Sequence, residues 1–305
     1  MIDLSIVIVN WNTKELTRQC LDSLYSTLPD LAIEIFVVDN ASSDGSPQMV
    51  RDDFPQAHLI ENSLNLGFAT ANNQAIHLST GRYILLLNSD TVIKPGAIDR
   101  LVSFMEANPQ AGAAGARLLN PDGSQQYSCS PAPTLGREIK RMFYLPGVRP
   151  DGNYEMKDWD LNLPVRVDVL LGACLLLRRQ VLEIVGLMDE DYFMYSEEVD
   201  LCARIQESGW QLYWVPQAEV IHYGGQSTRQ ASEEMFSRLY ESKVRYFRKH
   251  HGKAALAVYK LVLIGASIFR LLLFPLAWLL RPPSRKANLA QAENYLHLLV
   301  NVAGM

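Results

Sequence analysis

Five apolar residues in succession, Tyr83-Ile84-Leu85-Leu86-Leu87, run directly into Asn88-Ser89-Asp90. An unbroken apolar run of this length, opened by Gly81-Arg82 and closed by polar residues, predicts a parallel strand buried on both faces. Asp90 then stands at the strand's carboxyl end. In open α/β sheets that edge is where ligands bind, and a carboxylate placed there can hold a divalent cation against phosphates. The tripeptide alone fits equally well a turn that only ends the strand.

The 305-residue chain is 48% hydrophobic, enough for a real core in one large domain or two small ones, which argues against disorder. Its formal charge of −5 hides a division. From Arg238 to Lys286 eleven Lys/Arg stand against the single Glu241, so the remaining residues carry about fifteen net negative charges. The four cysteines, Cys20, Cys129, Cys174 and Cys202, are dispersed, with no C-x-x-C pair and no secretory signal at the start. Reduced, buried thiols in a cytoplasmic protein are the expectation.

Over the first 120 residues short apolar strands alternate with amphipathic helices, the pattern of a doubly wound α/β sheet. Strands are expected at Leu4 to Val9, Ile33 to Val38, His58 to Glu61, Arg82 to Leu87 and Ala113 to Leu119. Helices are expected around Glu15 to Leu24, from Ser46 through Phe54, from Gly67 to Leu78 and from Ala97 to Ala107. Between Asn120 and Pro164 the chain is rich in Pro, Gly, Asp and Tyr and reads as an excursion or flexible lid. Val165 to Leu177 is apolar apart from Gly172-Ala173. Helices at Arg179 to Val185 and from Ser196 to Gly209 follow, then two short strands, Leu212 to Val215 and Glu219 to His222.

The last sixty residues differ. Ser232 to His250 predicts a helix with a growing basic face, and Ala254 to Leu280 is almost wholly apolar except for Lys260 and Arg270. Its clean runs, Leu261 to Phe269 and Leu271 to Leu280, are about half the roughly twenty residues a span needs, and Pro275 interrupts the second. An in-plane or re-entrant helix pair fits better, with Arg245, Arg248, Lys249, Lys253, Arg281, Arg285 and Lys286 meeting anionic headgroups. A buried helix packed on the domain is the alternative. The expected division is a domain over 1–230 and a helical segment over 231–305.

Polar residues fall where strands end: Asn10 and Asn12 after the first, Asp39 after the second, Asp90 after the fourth. Asp39 can accept hydrogen bonds from a base or ribose hydroxyl, or cap the turn at Asn40-Ala41-Ser42. Asn65-Leu66-Gly67-Phe68-Ala69 is a tight loop entering a helix, a position that attracts phosphate. Neither G-x-x-x-x-G-K-[ST] nor a G-x-G-x-x-G after the first strand is present, which disfavours a P-loop enzyme and a dinucleotide dehydrogenase. A second cluster spans Met188 to Arg204. Glu197, Glu198 and Asp200 in a first helical turn suit the helix dipole, and Asp200 with Arg204 can form an i,i+4 pair. The preceding Tyr192, Phe193 and Tyr195 can make a partly dry pocket that raises a carboxylate's basicity, and a sugar ring can stack there. Finally, His222 ends an apolar strand before Gly224-Gly225, within reach of a metal or phosphate.

Together these residues resemble the family 2 inverting glycosyltransferases of GT-A fold, particularly the rhamnosyltransferase-like branch, from about Leu4 to Ser227. Ser5-Ile6-Val7-Ile8-Val9-Asn10-Trp11-Asn12 is similar to the family's first strand, and Val37-Val38-Asp39-Asn40-Ala41-Ser42-Ser43-Asp44-Gly45 to its nucleotide-binding segment. Asn65 to Ala69 matches the next motif, and Leu87-Asn88-Ser89-Asp90 stands at the D-x-D metal motif. Gly172-Ala173 and Asp189 to Arg204 match the acceptor side. Two departures stand out: Asn88 replaces the metal motif's first acid, and the usual Glu-Asp base pair reads Glu197-Glu198.

The resemblance implies a mixed Rossmann-like sheet and a single displacement. Asp90 with His222 would hold Mg²⁺ or Mn²⁺ on the donor diphosphate, and Glu198, beside Glu197 and Asp200, would take the acceptor proton. Asp39 would hold a uracil or thymine base or its ribose, with Asn10, Asn12, Asp44, Asn65, Gly67 and Asn88 near the nucleotide. The implied donor is dTDP-rhamnose or a UDP-sugar. The implied acceptor is a glycan on a polyprenyl lipid at the inner face of the cell membrane, with no nucleic-acid partner. A sugar-nucleotide pyrophosphorylase and a non-catalytic sugar-binding membrane-associated protein are the competing readings.

Overall fold

The computed structural model describes residues 2–143, 154, 156–226, 230, 232–280 and 285–305. Ser227, Arg281, the middle of the 120–164 stretch and the side chains of Arg285 and Lys286 lie outside the described residues. The first half follows strand with helix: β1 (Leu4–Asn10), α1 (Lys14–Tyr25), β2 (Ile33–Asp39), α2 (Ser46–Asp53), β3 (His58–Glu61), α3 (Phe68–Leu78), β4 (Tyr83–Asn88), β5 (Thr91–Ile93), α4 (Ala97–Ala107) and β6 (Ala111–Leu119). Then come β7 (Cys129–Ser130), α5 (Leu135–Met142), β8 (Val165–Val167), β9 (Val169–Leu170), β10 (Cys174–Arg178), α6 (Arg179–Val185), α7 (Glu197–Glu207), β11 (Gln211–His222), α8 (Ser232–Leu280) and α9 (Arg285–Asn301).

One mixed sheet organises the fold, in the order β3-β2-β1-β4-β10-β6-β11-β5, with β8 on β11. The sidedness of β4 explains its two layers. Tyr83, Leu85 and Leu87 enter one core with Leu4, Ile6, Ile8 and the buried faces of α1, α2 and α4. Ile84 and Leu86 enter the other with Val7, α3, α6 and α7. Each such Leu or Ile contributes about 1.5–3 kcal/mol on full burial, which makes a polar substitution inside the run costly.

Strand direction then sets the edge. β1 runs parallel to β2 and β4, and β10 is antiparallel to both β4 and β6, so β6 and its parallel neighbour β11 point the same way as β4. The carboxyl ends of β1, β2, β4, β6 and β11 therefore lie along one side of the sheet.

β4 is parallel to β1 and antiparallel to β10, which gives the mixed sheet that the resemblance implied. Other expectations need correction. The stretch after Asn120 carries β7 and α5 rather than lacking structure. The two short strands before His222 are one strand, β11, whose register shifts between Val215 and Glu219 and so accommodates Pro216. Finally, β5 went unanticipated because three residues are too few to show periodicity.

The chain divides into two compact units: Met1–Ala132, Tyr154–Phe193 and Glu197–Gln230 form the first, and Pro133–Asn153, Met194–Ser196 and Ala231–Met305 the second. In the second, Lys243 pairs with the buried Glu138 at 2.6 Å, and Phe247 stacks on Tyr259 with ring centroids 4.3 Å apart. α8 continues through Pro275 and breaks instead at Gly252, whose φ of 78° is left-handed. Over Glu233–Pro275 it is long and apolar enough to cross a membrane, and only 22% of its most apolar stretch is buried, unlike a core helix. Leu261 and Leu272 are largely exposed.

Gly81 leads into β4, and a β-carbon there would stand 2.5 Å from Ser5 Oγ and 2.6 Å from the Ser5 backbone nitrogen. Gly81→Ala is expected to cost about 1–3 kcal/mol, read from equilibrium urea unfolding.

Candidate active site

Asn10 and Asp39 end neighbouring strands in register, β1 and β2. The Asn10 amide donates to Asp39 Oδ1 at 2.7 Å and to Ser42 Oγ at 3.1 Å, while its carbonyl accepts from the Thr13 and Thr17 hydroxyls at 2.7 and 2.8 Å. Asn10 is thus committed to positioning Asp39. The second carboxylate oxygen of Asp39 accepts from Ser42 N at 2.8 Å, and each oxygen retains a lone pair for a further donor.

Asn12, at a left-handed φ of 52°, accepts from Ser43 N at 2.7 Å, so the first and second strand ends are laced together. Asp44 accepts from Lys14 N at 2.8 Å and from Ser46 N and Oγ at 3.0 and 2.5 Å, capping the starts of both α1 and α2. Although burial pushes its carboxyl up, the hydrogen bonds from Ser46 and Lys14 outweigh that and hold it below the ordinary Asp range.

At the next loop Asn65 Oδ1 accepts from Gly67 N at 3.0 Å, and Asn40 donates to Gly67 O at 3.1 Å. Gly67 is obligatory there. Its φ is +83°, and a β-carbon would lie 2.3 Å from Phe193 O, the same oxygen that accepts from Phe68 N at 2.7 Å.

Asp90 and His222 meet where β4 and β11 end. β5 pairs with β11 so that Thr91 faces His222, which brings the preceding Asp90 to the end of β11. Asp90 Oδ1 stands 3.2 Å from His222 Nε2, Asn88 Nδ2 lies 3.3 Å from the same nitrogen, and Tyr223 N donates to Asp90 O at 2.9 Å. Among the described residues no group of three or more His, Cys, Asp or Glu side chains forms a complete metal cage. An oxygen donor beside an imidazole nitrogen nevertheless fits Mg²⁺ or Mn²⁺ whose remaining positions are filled by substrate phosphate and water.

The carboxylates at the start of α7 lie across a short bridge, Gly172-Ala173. Ala173 O accepts from Asn88 N at 3.0 Å, and a β-carbon on Gly172 would stand 3.8 Å from Glu198 Cβ and 3.6 Å from the Phe68 ring. Asn88 and Glu198 are thus held on either side of two residues. Tyr195 and Ser196, just before α7, both have left-handed φ, 69° and 65°, each a cost of about 1–3 kcal/mol for a residue with a β-carbon. Asp200 is fully buried and accepts from Arg204 Nε at 2.8 Å, while the same guanidinium donates to Val185 O and Leu187 O at 2.6 and 2.8 Å. That pairing, anticipated from the i,i+4 spacing, ties α7 to the end of α6.

One participant was missed from sequence. Gln126 Oε1 lies 2.7 Å from His222 Nδ1, and its amide donates to His222 O at 3.2 Å. Leu119 pairs with Ile221 in register and bridges back to Gln125, so the chain returning from the Asn120-Pro121-Asp122-Gly123 turn delivers Gln126 beside His222. From sequence the stretch after Asn120 read only as an excursion, with no sign of what Gln126 would face.

The family model of Glycosyl transferase family 2 matches residues 5–186. The N-acetylglucosaminyl-diphospho-decaprenol L-rhamnosyltransferase of Mycobacterium tuberculosis is 30% identical over 304 residues, covering 95% of this chain and 99% of that one. The chain is a family 2 glycosyltransferase. Rhamnosyltransferase WbbL of Escherichia coli is 25% identical over 80% of this chain and 92% of its own. The mannosyltransferase PcManGT from Pyrobaculum calidifontis, solved with GDP-Man and Mn²⁺, aligns with a TM-score of 0.57 at 19% identity over 98% of this chain and 89% of that one, a likeness of fold.

In this glycosyltransferase the two adjacent glutamates are electrostatically distinct from the other acids of the edge. Burial raises both carboxyls above the ordinary Glu range, and the charge of Glu198 raises Glu197 further. One oxygen of each is buried without a hydrogen-bond partner. The unfolded chain loses the Glu197 proton near the ordinary value of 4.5, while the native chain still holds it. Stability therefore falls as pH rises from that value through the native pKa. Glu197→Gln, which cannot ionise, is expected to melt a few degrees above the parent at neutral pH and level with it below about pH 4, as followed by circular dichroism.

Proposed function

We propose that this family 2 glycosyltransferase transfers a sugar, with inversion, from a nucleotide diphosphate donor to a hydroxyl of a polyprenyl-diphosphate-linked glycan. The observation that carries the reading is the approach of Asp90 to His222 at 3.2 Å, with Glu198 just beyond Gly172-Ala173. Asp39, oriented by Asn10 and Ser42, would accept from the base or ribose of the donor, with Asn12, Asp44, Asn65 and Gly67 shaping the loops around it. Asp90 and His222 would hold Mg²⁺ or Mn²⁺ on the diphosphate. That ion, when bound, supplies positive charge against the charge developing on the leaving nucleotide.

Glu198 would take the proton of the acceptor hydroxyl as its oxygen bonds to the anomeric carbon and the bond to the diphosphate oxygen breaks on the opposite face. Burial, which raises its pKa, makes it a stronger base than an exposed glutamate. Asp200, engaged with Arg204, would position α7 rather than move a proton. The M. tuberculosis relative, named for rhamnosyl transfer onto a diphospho-decaprenol lipid, favours dTDP-rhamnose as donor and a lipid-linked acceptor. The basic and apolar α8 supports peripheral attachment at the inner membrane face, as part of a helical segment over 231–305.

A panel of dTDP-, UDP- and GDP-sugars with polyprenyl-diphosphate-linked acceptors and Mn²⁺ tests the reading, with product anomers read by NMR. Transfer is expected from one donor, lost on chelation, and lowered about 10²–10⁴-fold by Glu198→Gln, with a comparable loss in Asp90→Ala. Full activity in either folded variant, or retention of configuration, overturns the corresponding assignment. In vesicle flotation, a chain truncated after His250 is expected to stay at the bottom of the gradient while the full chain rises with anionic vesicles.

A further inference from the structure

The hydrogen bonds around His222 have a direction, and it can be followed from one carboxylate. Asp122 accepts from the Ser124 hydroxyl at 2.6 Å and from Ser124 N at 2.9 Å, bonds that hold its carboxyl below the ordinary Asp range. With its proton given to Asp122, Ser124 Oγ accepts from Asn120 Nδ2 at 2.9 Å. The Asn120 carbonyl is thereby turned to accept from Gln126 Nε2 at 3.0 Å, and the same amide reaches His222 O at 3.2 Å. The oxygen left to Gln126 faces His222 Nδ1 at 2.7 Å, and an amide oxygen only accepts.

We infer that Gln126 is a positioning residue that keeps the His222 proton on Nδ1 and so presents the Nε2 lone pair, beside Asp90 Oδ1, to a divalent cation. Asp122, Ser124 and Asn120 set the polarity that Gln126 passes on. On the cation side the Asn88 amide, 3.3 Å away, is a donor that such a lone pair accepts, whereas Asp90 Oδ1, 3.2 Å away, is an acceptor that competes for the proton; the shorter contact, 2.7 Å to Gln126 Oε1, is the one the proton follows. Gln126 also clamps the ring and its own backbone carbonyl at once, fixing the imidazole in rotation. Partners behind a ligating histidine act in this way in metal sites generally, and their loss weakens metal affinity about 10–100-fold.

The inference rests on the proposed cation-binding role of Asp90 and His222, so its test separates the two. In metal-free, full-length protein at mildly alkaline pH, ¹⁵N spectra of labelled histidine report the tautomer, with His222→Ala identifying the signal among six histidines. The Nδ1–H form is expected in the parent and in Gln126→Glu, whose carboxylate still accepts, and a tautomer mixture in Gln126→Leu. Titration with Mn²⁺ alone, followed by electron paramagnetic resonance, should show affinity weakened about 10–100-fold in Gln126→Leu and kept in Gln126→Glu. Parent-like tautomer and affinity in folded Gln126→Leu, or lost affinity in Gln126→Glu, overturns the inference while His222→Ala can still uphold the cation site. Unchanged Mn²⁺ binding in His222→Ala overturns both.

Discussion

The central strands are buried on both faces, and the placement of the site's polar residues follows from that. Inside β1, β2 and β4 an unpaired carboxylate or amide would lose its water to a close-packed core. Polar chemistry is therefore displaced to the strand ends. Because β3 runs parallel to β2, and β6 and β11 run parallel to β4 across the antiparallel β10, six carboxyl ends share one edge. Asn10, Asp39, Asn88 and His222 each terminate one of these strands.

Much of that edge serves to immobilise the rest of it. Asn10 orients Asp39, Asp44 caps two helices, Asn65 shapes the turn at Gly67, and Arg204 holds Asp200 against the end of α6. These residues have the types expected of ligands, yet their observed bonds are mainly to one another. Glu197 and Glu198 are different: each has a buried oxygen without a partner, and burial raises both pKa values. A desolvated carboxylate is expensive to maintain in a fold, and such groups cluster at functional sites. The consecutive left-handed residues Tyr195 and Ser196 add local backbone strain just before α7.

The helical unit obeys another constraint. It combines a buried Glu138–Lys243 pair with long exposed apolar stretches of α8, and the eleven basic residues of this part of the sequence oppose the acidic remainder. Such a surface gains by meeting both hydrocarbon and anionic headgroups, the physical basis for the proposed peripheral attachment.

Local pattern determined most elements of the first half, though not β5, β7 or α5. An unbroken apolar run marked β4 as buried on both faces, short apolar strands alternating with amphipathic helices marked β1, β2 and α1 to α4, and polar residues closing apolar runs marked the edge. The i,i+4 spacing even gave the partner of Asp200. Only the tertiary structure decided which distant residues meet: Asp90 with His222 through the three-residue β5, Asn88 with Ala173, and Gln126 behind His222. Periodicity records how a segment faces the core but carries no information about which strand end lies alongside it. That depends on pairing register and on turns whose local sequence is compatible with many partners.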